Sequence, residues 1–532
     1  MTGNAMLTMN RKEFLRTGLS TMAVAGLPAS AAAAATFGAP EGQGGPLTVA
    51  RLDPVIRLYP AKAASRSGEL RFGPAELSVM LPFLGAGEVL WTVEVAEPGE
   101  YDLALCYSTT QAGTPVTIEA GASKVEFAAR VTEGYFYPDP NGPSANPGDP
   151  DSDSFWTMRE YYLFERVPVP GRINLVRGVN VVRLKVAGEK SKEIFRLRSL
   201  ELTPASQRAA IEADKQRARS RRANTDWFAD AGYGMWFHFL DLTTPRQGPP
   251  VPYEQSINAL DAKKLAKMVA DCGASYLIWA VNHGHPTCPA PIKSWEKLHS
   301  GWTTKRDFIG ELADALGKHG IRLMLYMNCP GIGKLEQQAG TALDLPAFSE
   351  AEYSNQLADV FREFGNRYGT RVAGYWFDSW FQTTESYPNL PHEALFDAVK
   401  TGNPDRMVAL NYWAFPIEVE WQDYWSGEIT DLPAKPFKTR YIGRGAGAGL
   451  QAHSAIRFDA PWFHITQDKP MEPPRYTAAE LADYIRTCQG DRAPVTLGVG
   501  IYQDGTIGEE SFAVLKQLRT LIRGRARQRR PA

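Results

Sequence analysis

The sequence has few of the features that mark several large classes of protein. Its cysteines are odd in number and far apart, and none forms a Cys-x-x-Cys pair; they are Cys106, Cys272, Cys288, Cys329 and Cys488. The spacing therefore indicates neither a disulfide framework nor a cysteine-rich metal site. No Gly-x-Gly-x-x-Gly motif follows a strand, and there is no Gly-Lys-Ser/Thr loop. The usual phosphate cradles of nucleotide-binding proteins are thus missing.

Net charge and long apolar runs are also lacking. The 58 basic and 59 acidic residues give a formal charge of −1, so no global field attracts nucleic acid. No segment after the N-terminal region has about 18 uninterrupted apolar residues, so we expect no membrane span. The one strong charge run is the basic C-terminus, residues 523–532, which we interpret as a solvated tail. The sequence gives no indication of the oligomeric state.

Residues 1–37 resemble a twin-arginine export signal. Arg11 and Lys12 precede Phe14-Leu15, a weakly apolar stretch and an alanine run with small residues for cleavage. Lys12 stands where the second arginine of such signals is usual, which leaves the export route open. We expect an exported protein, periplasmic or extracellular.

A chain of 532 residues is too long for one hydrophobic core, so we expect a multidomain protein. Residues 47–205 read as short strands broken by Pro and Gly, with apolar and polar residues alternating, as in Tyr101–Tyr107. This pattern predicts an N-terminal all-β sandwich, jelly-roll-like. Its turns and strands resemble those of carbohydrate-binding modules; a sandwich that merely packs on the next domain is the alternative.

The pattern changes after residue 205. Residues 206–224 predict a linker helix, and strands and helices alternate from 225 to 522. Asp261 and Asp307 each precede a run with helical apolar spacing, and a short apolar strand follows each helix. Repeated βα units, with polar residues just after the strands, predict a (β/α)8-type TIM barrel over 225–522.

Asp378 ends an apolar, aromatic strand and lies between Trp376 and Trp380. Catalytic residues of (β/α) barrels lie at the carboxyl ends of strands. Aromatic faces hold pyranose rings, and a carboxylate can attack an anomeric carbon, so the segment suggests a sugar-cleaving site. The alternative is an aspartate that only caps the next helix.

Several blocks resemble family 29 of the glycoside hydrolases, the α-L-fucosidases. Tyr233–Phe239 is similar to the first barrel strand of that family, and Tyr375–Asp378 is similar to the segment that carries its nucleophile. Arg306–Leu312, Asn403–Asp405 and Leu497–Ile507 follow the family in the same order. The resemblance covers about 300 residues.

The resemblance implies an exo-acting, retaining glycosidase with two carboxyl groups. Asp378 would be the nucleophile and Glu428 the acid/base, while Glu418, Glu420 and Glu385 remain alternatives for the second role. A glycan would be the substrate, and this chemistry needs no metal or organic cofactor.

The resemblance also implies a set of sugar-binding residues. His238 and His283 would hydrogen-bond sugar hydroxyls, and four tryptophans are candidates for stacking against the sugar, although any of them could instead be barrel packing. The full set of expected binding residues is Trp236, His238, Trp279, Asn282, His283, Tyr326, Trp376 and Trp380.

The chain departs from the family at two strand ends. Fucosidases usually show Lys-His-His-Asp-Gly-Phe where this chain has Val281–Pro286, and Phe239-Leu240 replaces a Trp-Gly pair. These positions contact the sugar ring in the family. Two other readings therefore stay open: a glycosidase for a different sugar, and a non-catalytic barrel that binds glycans.

Overall fold

The structure is a computed structural model that describes residues 47–48, 54–71, 80–109, 111–132, 164–191, 193–332, 348–413, 415–430, 432, 439–443, 445–459 and 462–524. The predicted export signal and nearly all of the predicted basic tail lie outside these residues, so both stay predictions. Within the described part of the chain, no helix has the length and apolar character required to cross a membrane.

The N-terminal region forms one ten-stranded sheet. The central path of the sheet runs β7-β6-β9-β4-β10-β5-β8, and all its pairings are antiparallel except that of β1 with β4. The strands are β1 (Leu47–Thr48), β2 (Ile56–Leu58), β3 (Ser65–Leu70), β4 (Leu81–Val95), β5 (Gly99–Ser108), β6 (Thr114–Ala120), β7 (Ser123–Ala129), β8 (Glu165–Leu175), β9 (Gly178–Val186) and β10 (Phe195–Pro204). The prediction of a sheet-rich N-terminal region is confirmed.

Strand β4 connects the two halves of this sheet. Its first residues pair with β10, whereas Gly87–Val95 pair with β9. Alternation decides which side chains enter the core: in β5, Tyr101, Leu103 and Leu105 are buried and the residues between them are half-buried. The arrangement of the halves as two packed layers stays a prediction.

Within residues 206–224, the structure has a helix, α1 (Arg208–Ser220), which follows a short 3-10 helix at Ala205–Gln207; its role as a linker stays a prediction. In the described part of the chain, further 3-10 helices lie at Pro60–Lys62 and Gly369–Arg371.

The second half of the chain builds an eight-stranded parallel sheet. Its order is β15-β14-β13-β12-β11-β18-β17-β16. The first of these strands in the chain, β11, therefore pairs with the last, β18. The strands are β11 (Tyr233–Phe237), β12 (Tyr276–Ala280), β13 (Arg322–Asn328), β14 (Val372–Asp378), β15 (Met407–Leu410), β16 (Glu428–Thr430), β17 (Ser454–Arg457) and β18 (Val495–Val499). The predicted alternation of strands and helices is confirmed.

Helices follow most of these strands. They are α2 (Asp226–Ala229), α3 (Tyr253–Ala259), α4 (Ala262–Asp271), α5 (Lys293–Leu298), α6 (Phe308–Gly317), α7 (Cys329–Ile332), α8 (Glu350–Tyr368), α9 (Trp380–Ser386), α10 (His392–Lys400), α11 (Ala478–Gly490) and α12 (Glu509–Arg523). Asp261 and Asp307 cap α4 and α6 by accepting hydrogen bonds from backbone amides of the first turn, as their positions in the sequence predict.

The edge strands β15 and β16 approach each other through the segment Asp423–Trp425. The Asp423 amide donates to the Val408 carbonyl at 2.8 Å, and the Trp425 amide donates to the Gln451 carbonyl at 3.0 Å. This segment therefore lies between β15 and the chain that leads into β17.

The two faces of the parallel sheet carry different side chains. Trp236, Ile278, Tyr326 and Trp376 share one cluster of buried residues inside the curve of the sheet. Residues of the other parity, such as Trp279, pack in a larger cluster with the helices. Neighbouring parallel strands keep this parity in register, since Trp236 is opposite Ile278 and Tyr326 is opposite Trp376.

The N-terminal sheet packs directly on the second half of the chain. Arg198 of β10 is buried and donates to Glu385 of α9 at 2.5 Å and to the Phe381 carbonyl at 2.8 Å. The Tyr59 hydroxyl donates to Glu418 at 3.1 Å. The two halves are therefore joined by buried polar contacts as well as by apolar packing.

Candidate active site

Asp378, the last residue of β14, has three hydrogen-bond donors around its carboxylate. Oδ2 accepts from the Tyr326 hydroxyl at 2.5 Å, and Oδ1 accepts from Asn411 Nδ2 at 2.9 Å and from the Ser379 amide at 2.7 Å. The side chain keeps 15% of its surface exposed. The carboxylate is thus fixed in orientation and still open to a ligand.

A short chain of hydrogen bonds runs from Asp378 to His283. The Tyr326 hydroxyl lies 2.6 Å from His283 Nδ1 as well as 2.5 Å from Asp378 Oδ2. A phenol has one proton, so if Tyr326 donates it to Asp378, then His283 Nδ1 must donate to Tyr326. We assign His283 the tautomer with the proton on Nδ1. Burial lowers the pKa of His283 below its usual value, although the nearby Asp378 opposes this shift.

Asn411 joins the two carboxyl groups that the sequence puts forward as catalytic. Its Nδ2 donates to Asp378 Oδ1 at 2.9 Å and to Glu428 Oε2 at 2.8 Å. The two distances add to 5.7 Å, which is the largest separation that these two oxygens can have. The amide is held in this orientation because Asn411 Oδ1 accepts from the Trp413 amide and from the Ser426 hydroxyl, both at 2.9 Å.

Glu428 is a carboxyl group with a strongly raised pKa. Burial and, to a smaller extent, the negative charge of Asp378 raise the pKa of Glu428 to about 8, although the hydrogen bond from Asn411 and the charge of Arg457 oppose this shift. Glu428 is therefore protonated at neutral pH. The site holds a carboxylic acid next to a second carboxyl group that is held by three donors.

Aromatic rings line the site beside Asp378. Tyr326 and Trp376 are stacked with ring centroids 5.4 Å apart, and Trp236 lies 4.8 Å from Trp376. His238 stacks on Trp236 at 4.7 Å. Burial lowers the pKa of His238 well below its usual value, and His283 adds to this shift, so the ring is neutral. Among the described residues, no partner is found for His238 Nδ1.

Trp279, Trp380 and Asn282 are directed away from Asp378. Trp279 packs against Phe239 and Phe308 on the helix side of the sheet, and Trp380 belongs to the same outer cluster. Asn282 is buried, and its amide exchanges two hydrogen bonds of 3.0 Å with the backbone of Asn328. Asn282 therefore links the ends of β12 and β13.

The alternative acids lie away from Asp378. Glu385 pairs with Arg198 and Glu418 accepts from Tyr59, both at the contact with the N-terminal sheet. Glu420 lies 3.5 Å from Arg219 of α1. Of the four candidates, Glu428 is the one that shares a hydrogen-bond donor with Asp378.

Asn411 is the residue that the sequence analysis missed. It directly follows β15, at the carboxyl end of a strand, where polar residues of a barrel gather. That position was the available signal, but β15 has only four residues and gives no clear periodic pattern.

The family model of the α-L-fucosidases matches residues 254–523, about half of the chain. The matched range contains Asp378, Asn411 and Glu428. The chain belongs to the α-L-fucosidase family. It is accordingly a glycoside hydrolase, and the predicted enzyme class is confirmed.

Solved fucosidase structures are similar to this chain at low sequence identity. α-L-Fucosidase AlfC from Lactobacillus casei, solved with its fucose product, is 17% identical with a TM-score of 0.40, over 56% of this chain and 98% of that chain. A GH29 α-L-fucosidase from Bacteroides thetaiotaomicron is 17% identical with a TM-score of 0.42, over 56% and 73% of the chains. Isoenzyme 1 from Paenibacillus thiaminolyticus is 19% identical with a TM-score of 0.43, over 57% and 76%. The comparison with curated proteins found no match.

Proposed function

We propose that this member of the α-L-fucosidase family is an exo-acting, retaining enzyme that removes a terminal α-linked L-fucose, or a related deoxyhexose, from a glycan. The observation that carries the proposal is the bridge from Asn411 to both carboxyl groups. Retaining glycosidases hold their two carboxyl groups about 5–5.5 Å apart, and inverting ones hold them about 6.5–9.5 Å apart. An upper limit of 5.7 Å between the bridged oxygens supports the retaining geometry.

In the first step, an Asp378 oxygen attacks the anomeric carbon and the bond to the leaving oxygen breaks. Glu428 gives its proton to that oxygen, so the leaving group departs as a neutral alcohol. The raised pKa of Glu428 favours this role, since the acid still holds its proton at neutral pH. The product is a glycosyl-enzyme ester on Asp378.

In the second step, water attacks the anomeric carbon of the ester. Glu428, now ionised, takes the proton of the water, and the Asp378 carboxylate leaves. Two inversions give net retention of the anomeric configuration. Asn411 can hydrogen-bond both carboxyl groups through both steps, because it donates to an oxygen of each. Its own orientation is held by the Ser426 hydroxyl and the Trp413 amide.

A glycosidase for another sugar is the second candidate, and Asn282 favours it. The family usually carries a histidine pair at this strand end, whereas Asn282 is committed to the Asn328 backbone and only His283 faces the catalytic residues. A site that loses one partner of a sugar hydroxyl can change its discrimination by orders of magnitude.

Hydrolysis of an aryl α-L-fucoside, followed by NMR of the first product, tests the proposal. We expect the wild type to release the α-anomer first, Asp378→Asn to be inactive, and Asp405→Asn, at the opposite end of the barrel strands, to keep full activity. A fluorinated fucoside should label the peptide that carries Asp378. Release of the β-anomer would overturn the retaining mechanism. Turnover of a different aryl glycoside alone would favour the second candidate, and no turnover at all would leave a sugar-binding barrel.

We further propose that the eight parallel strands form a closed barrel. Backbone hydrogen bonds of the segment Asp423–Trp425, with Val408 on one side and Gln451 on the other, support closure between β15 and β16. Export to the periplasm or outside the cell, and glycan binding by the N-terminal sheet, are proposals that rest on the sequence patterns alone.

A further inference from the structure

His453 is a buried, ionisable residue that the proposed mechanism does not use. It directly precedes β17 and is fully buried, with its ring centroid 5.2 Å from that of Phe228 and 5.7 Å from that of Tyr424. Burial lowers the pKa of His453 to about 4, although hydrogen bonds with the Ser426 and Trp425 backbone oppose this shift. The imidazole is therefore neutral at neutral pH, so one ring nitrogen carries a proton and the other is an acceptor.

The neighbours of His453 determine which nitrogen carries the proton. Nδ1 lies 2.9 Å from the Ser426 carbonyl oxygen, which can only accept, so Nδ1 is the protonated nitrogen. Nε2 lies 2.7 Å from Thr496 Oγ1 of β18, and the Thr496 hydroxyl therefore donates to it. The Tyr276 hydroxyl of β12 lies 2.7 Å from Thr496 Oγ1 and donates to it in turn. These contacts leave His453 with one tautomer, which donates to Ser426.

The Nδ1 proton of His453 fixes the peptide group between Ser426 and Gly427. The Ser426 carbonyl also accepts from Trp376 Nε1 at 2.8 Å, so both of its lone pairs are used. The imidazole lies against the turn, because a Cβ added to Gly427 would lie 3.1 Å from His453 Nδ1. Glu428 is the next residue in the chain. The hydrogen bond from His453 therefore helps to set the direction in which the chain enters β16.

The side chain of Ser426 also acts on the catalytic carboxyl groups. Its hydroxyl donates to Asn411 Oδ1 at 2.9 Å, and Asn411 Nδ2 donates to both Glu428 and Asp378. Glu428 thus depends on Ser426 in two ways, through the backbone and through Asn411. Asp378 depends on it less, because two of its three hydrogen bonds come from other donors.

We propose that His453 is a positioning residue for the acid/base Glu428. His453 holds the peptide group between Ser426 and Gly427 through its Nδ1 proton, and this peptide group directs the Glu428 side chain towards Asn411. The proposal rests on the proposed function, because it takes Glu428 as the acid of the first step.

Two substitutions separate the two hydrogen bonds of His453. An asparagine side chain ends near the position of Nδ1, and a glutamine side chain ends near that of Nε2. We therefore expect His453→Asn to keep a donor to the Ser426 carbonyl and His453→Gln to lose it. Thr496→Val is the control, since it removes the partner of Nε2 and leaves Nδ1 paired with Ser426.

The leaving group of the substrate reports whether Glu428 is displaced. A phenyl α-L-fucoside has a poor leaving group and needs the proton of Glu428, whereas a dinitrophenyl α-L-fucoside needs it little. For His453→Gln we expect kcat/KM to fall about 10- to 100-fold on the phenyl fucoside and less than about threefold on the dinitrophenyl fucoside. His453→Asn and Thr496→Val should keep the wild-type ratio of the two kcat/KM values.

Urea unfolding of the same variants measures any general loss of stability, which lowers kcat/KM on both fucosides alike. An equal fall on both substrates in His453→Gln would overturn the proposal and assign His453 to the stability of the fold. The same ratio of kcat/KM values in His453→Gln and His453→Asn would also overturn it, because the Nδ1 donor would then not matter.

A measurement without substrate distinguishes a failure of the proposed function. Carbon NMR of protein labelled at its glutamate carboxyl groups, with Glu428→Gln to identify the signal, gives the pKa of Glu428. Should the wild type cleave neither fucoside, a pKa that changes in His453→Gln and not in His453→Asn would mean that the proposed function fails and the positioning role stands. An unchanged pKa in His453→Gln would mean that the positioning role fails as well.

Discussion

At the scale of single residues, two carboxyl groups that share one asparagine donor lie in different surroundings. Asp378 accepts hydrogen bonds from three donors. Glu428 accepts from one of these donors, and burial together with the charge of Asp378 raises its pKa. Two carboxyl groups in unlike environments are the usual way in which one site obtains a nucleophile and an acid.

The pH dependence of the reaction follows from Glu428. Its pKa is raised to about 8, so the protonated form that the first step needs is lost as the pH rises through 8. We expect kcat/KM to fall above about pH 8, which gives the pH profile a basic limb. Glu428→Gln should abolish this basic limb and slow the hydrolysis of substrates with poor leaving groups about 10²- to 10⁴-fold. Glu420→Gln, which removes an acid facing α1, should keep the wild-type profile. A basic limb that survives in Glu428→Gln would contradict the assignment.

Asn411 is expected to change the pH at which kcat/KM falls on the basic side. Its hydrogen bond stabilises the ionised form of Glu428, so removing it raises the pKa of Glu428 further. We predict that Asn411→Ala shifts the basic limb of kcat/KM to higher pH and lowers the plateau about 10- to 100-fold, since one donor to each carboxyl group is lost. A pH profile measured beside the wild type checks this. A lower plateau with an unmoved limb would mean that Asn411 acts on Asp378 alone.

The sequence identified some site residues and could not identify others. The strand that ends at Asp378 has a clear aromatic pattern, so Asp378 could be predicted as a catalytic residue from the sequence. Asn411 follows a strand of four residues, and its importance lies in reaching two side chains, one 33 and one 17 positions away in the chain. Such a bridge is a property of the folded sheet and has no local signature.

At the scale of elements, strand parity explains which tryptophans lie beside Asp378. Trp236 and Trp376 share a face with Tyr326, whereas Trp279 is in register with Phe237 and faces the helices. The helix starts at Asp261 and Asp307 were predictable from capping residues. The strands β15, β16 and β17 have three or four residues each, which is too short for a period to show.

Substitution of Gly427, which precedes Glu428, tests whether activity depends on the position of β16. Its φ is +65°, and an added Cβ would lie 2.1 Å from the His453 carbonyl oxygen. We expect Gly427→Ala to displace Glu428, to lower kcat strongly and to reduce the free energy of unfolding by about 2 kcal/mol or more. Urea unfolding and kinetics of the purified variant measure both effects.

Gly443→Ala is the matched control, because Gly443 has a negative φ and free space where its Cβ would lie. It should change neither stability nor activity. If Gly427→Ala kept both as well, the strand would be able to move without cost, and the position of Glu428 would not depend on this turn.

At the scale of the whole molecule, the N-terminal sheet contacts the elements that follow Asp378 and Asn411. The Arg198 guanidinium lies 4.7 Å from the Tyr59 ring centroid and 4.5 Å from that of Phe415, and it pairs with Glu385 on α9. Helix α9 begins two residues after Asp378. Arg198 and Glu385, which make the central contact, are 187 positions apart in the chain. The sequence therefore predicted two domains but could not predict the contact between them.

Arg198 is therefore expected to stabilise the fold and to position the active site. Arg198→Met leaves the Glu385 carboxyl buried without its cation, and breaking a buried pair in this way costs about 3–5 kcal/mol. We predict a loss of this size in urea unfolding, together with a lower kcat, because α9 loses its ion pair with the N-terminal sheet. Arg208→Met, which removes a half-exposed partner of Asp102, should have little effect on either.

The double variant Arg198→Met/Glu385→Leu separates the two roles. Replacing a buried ion pair by apolar groups of similar volume is often neutral, so stability should return towards the wild-type value. If kcat returns with it, the sheet acts on Asp378 only by keeping α9 packed. If kcat stays low while stability recovers, the hydrogen bonds from Arg198 to Glu385 and to the Phe381 carbonyl set the orientation of α9, and through it that of Asp378. A single variant as stable and as active as the wild type would show that the two halves work independently.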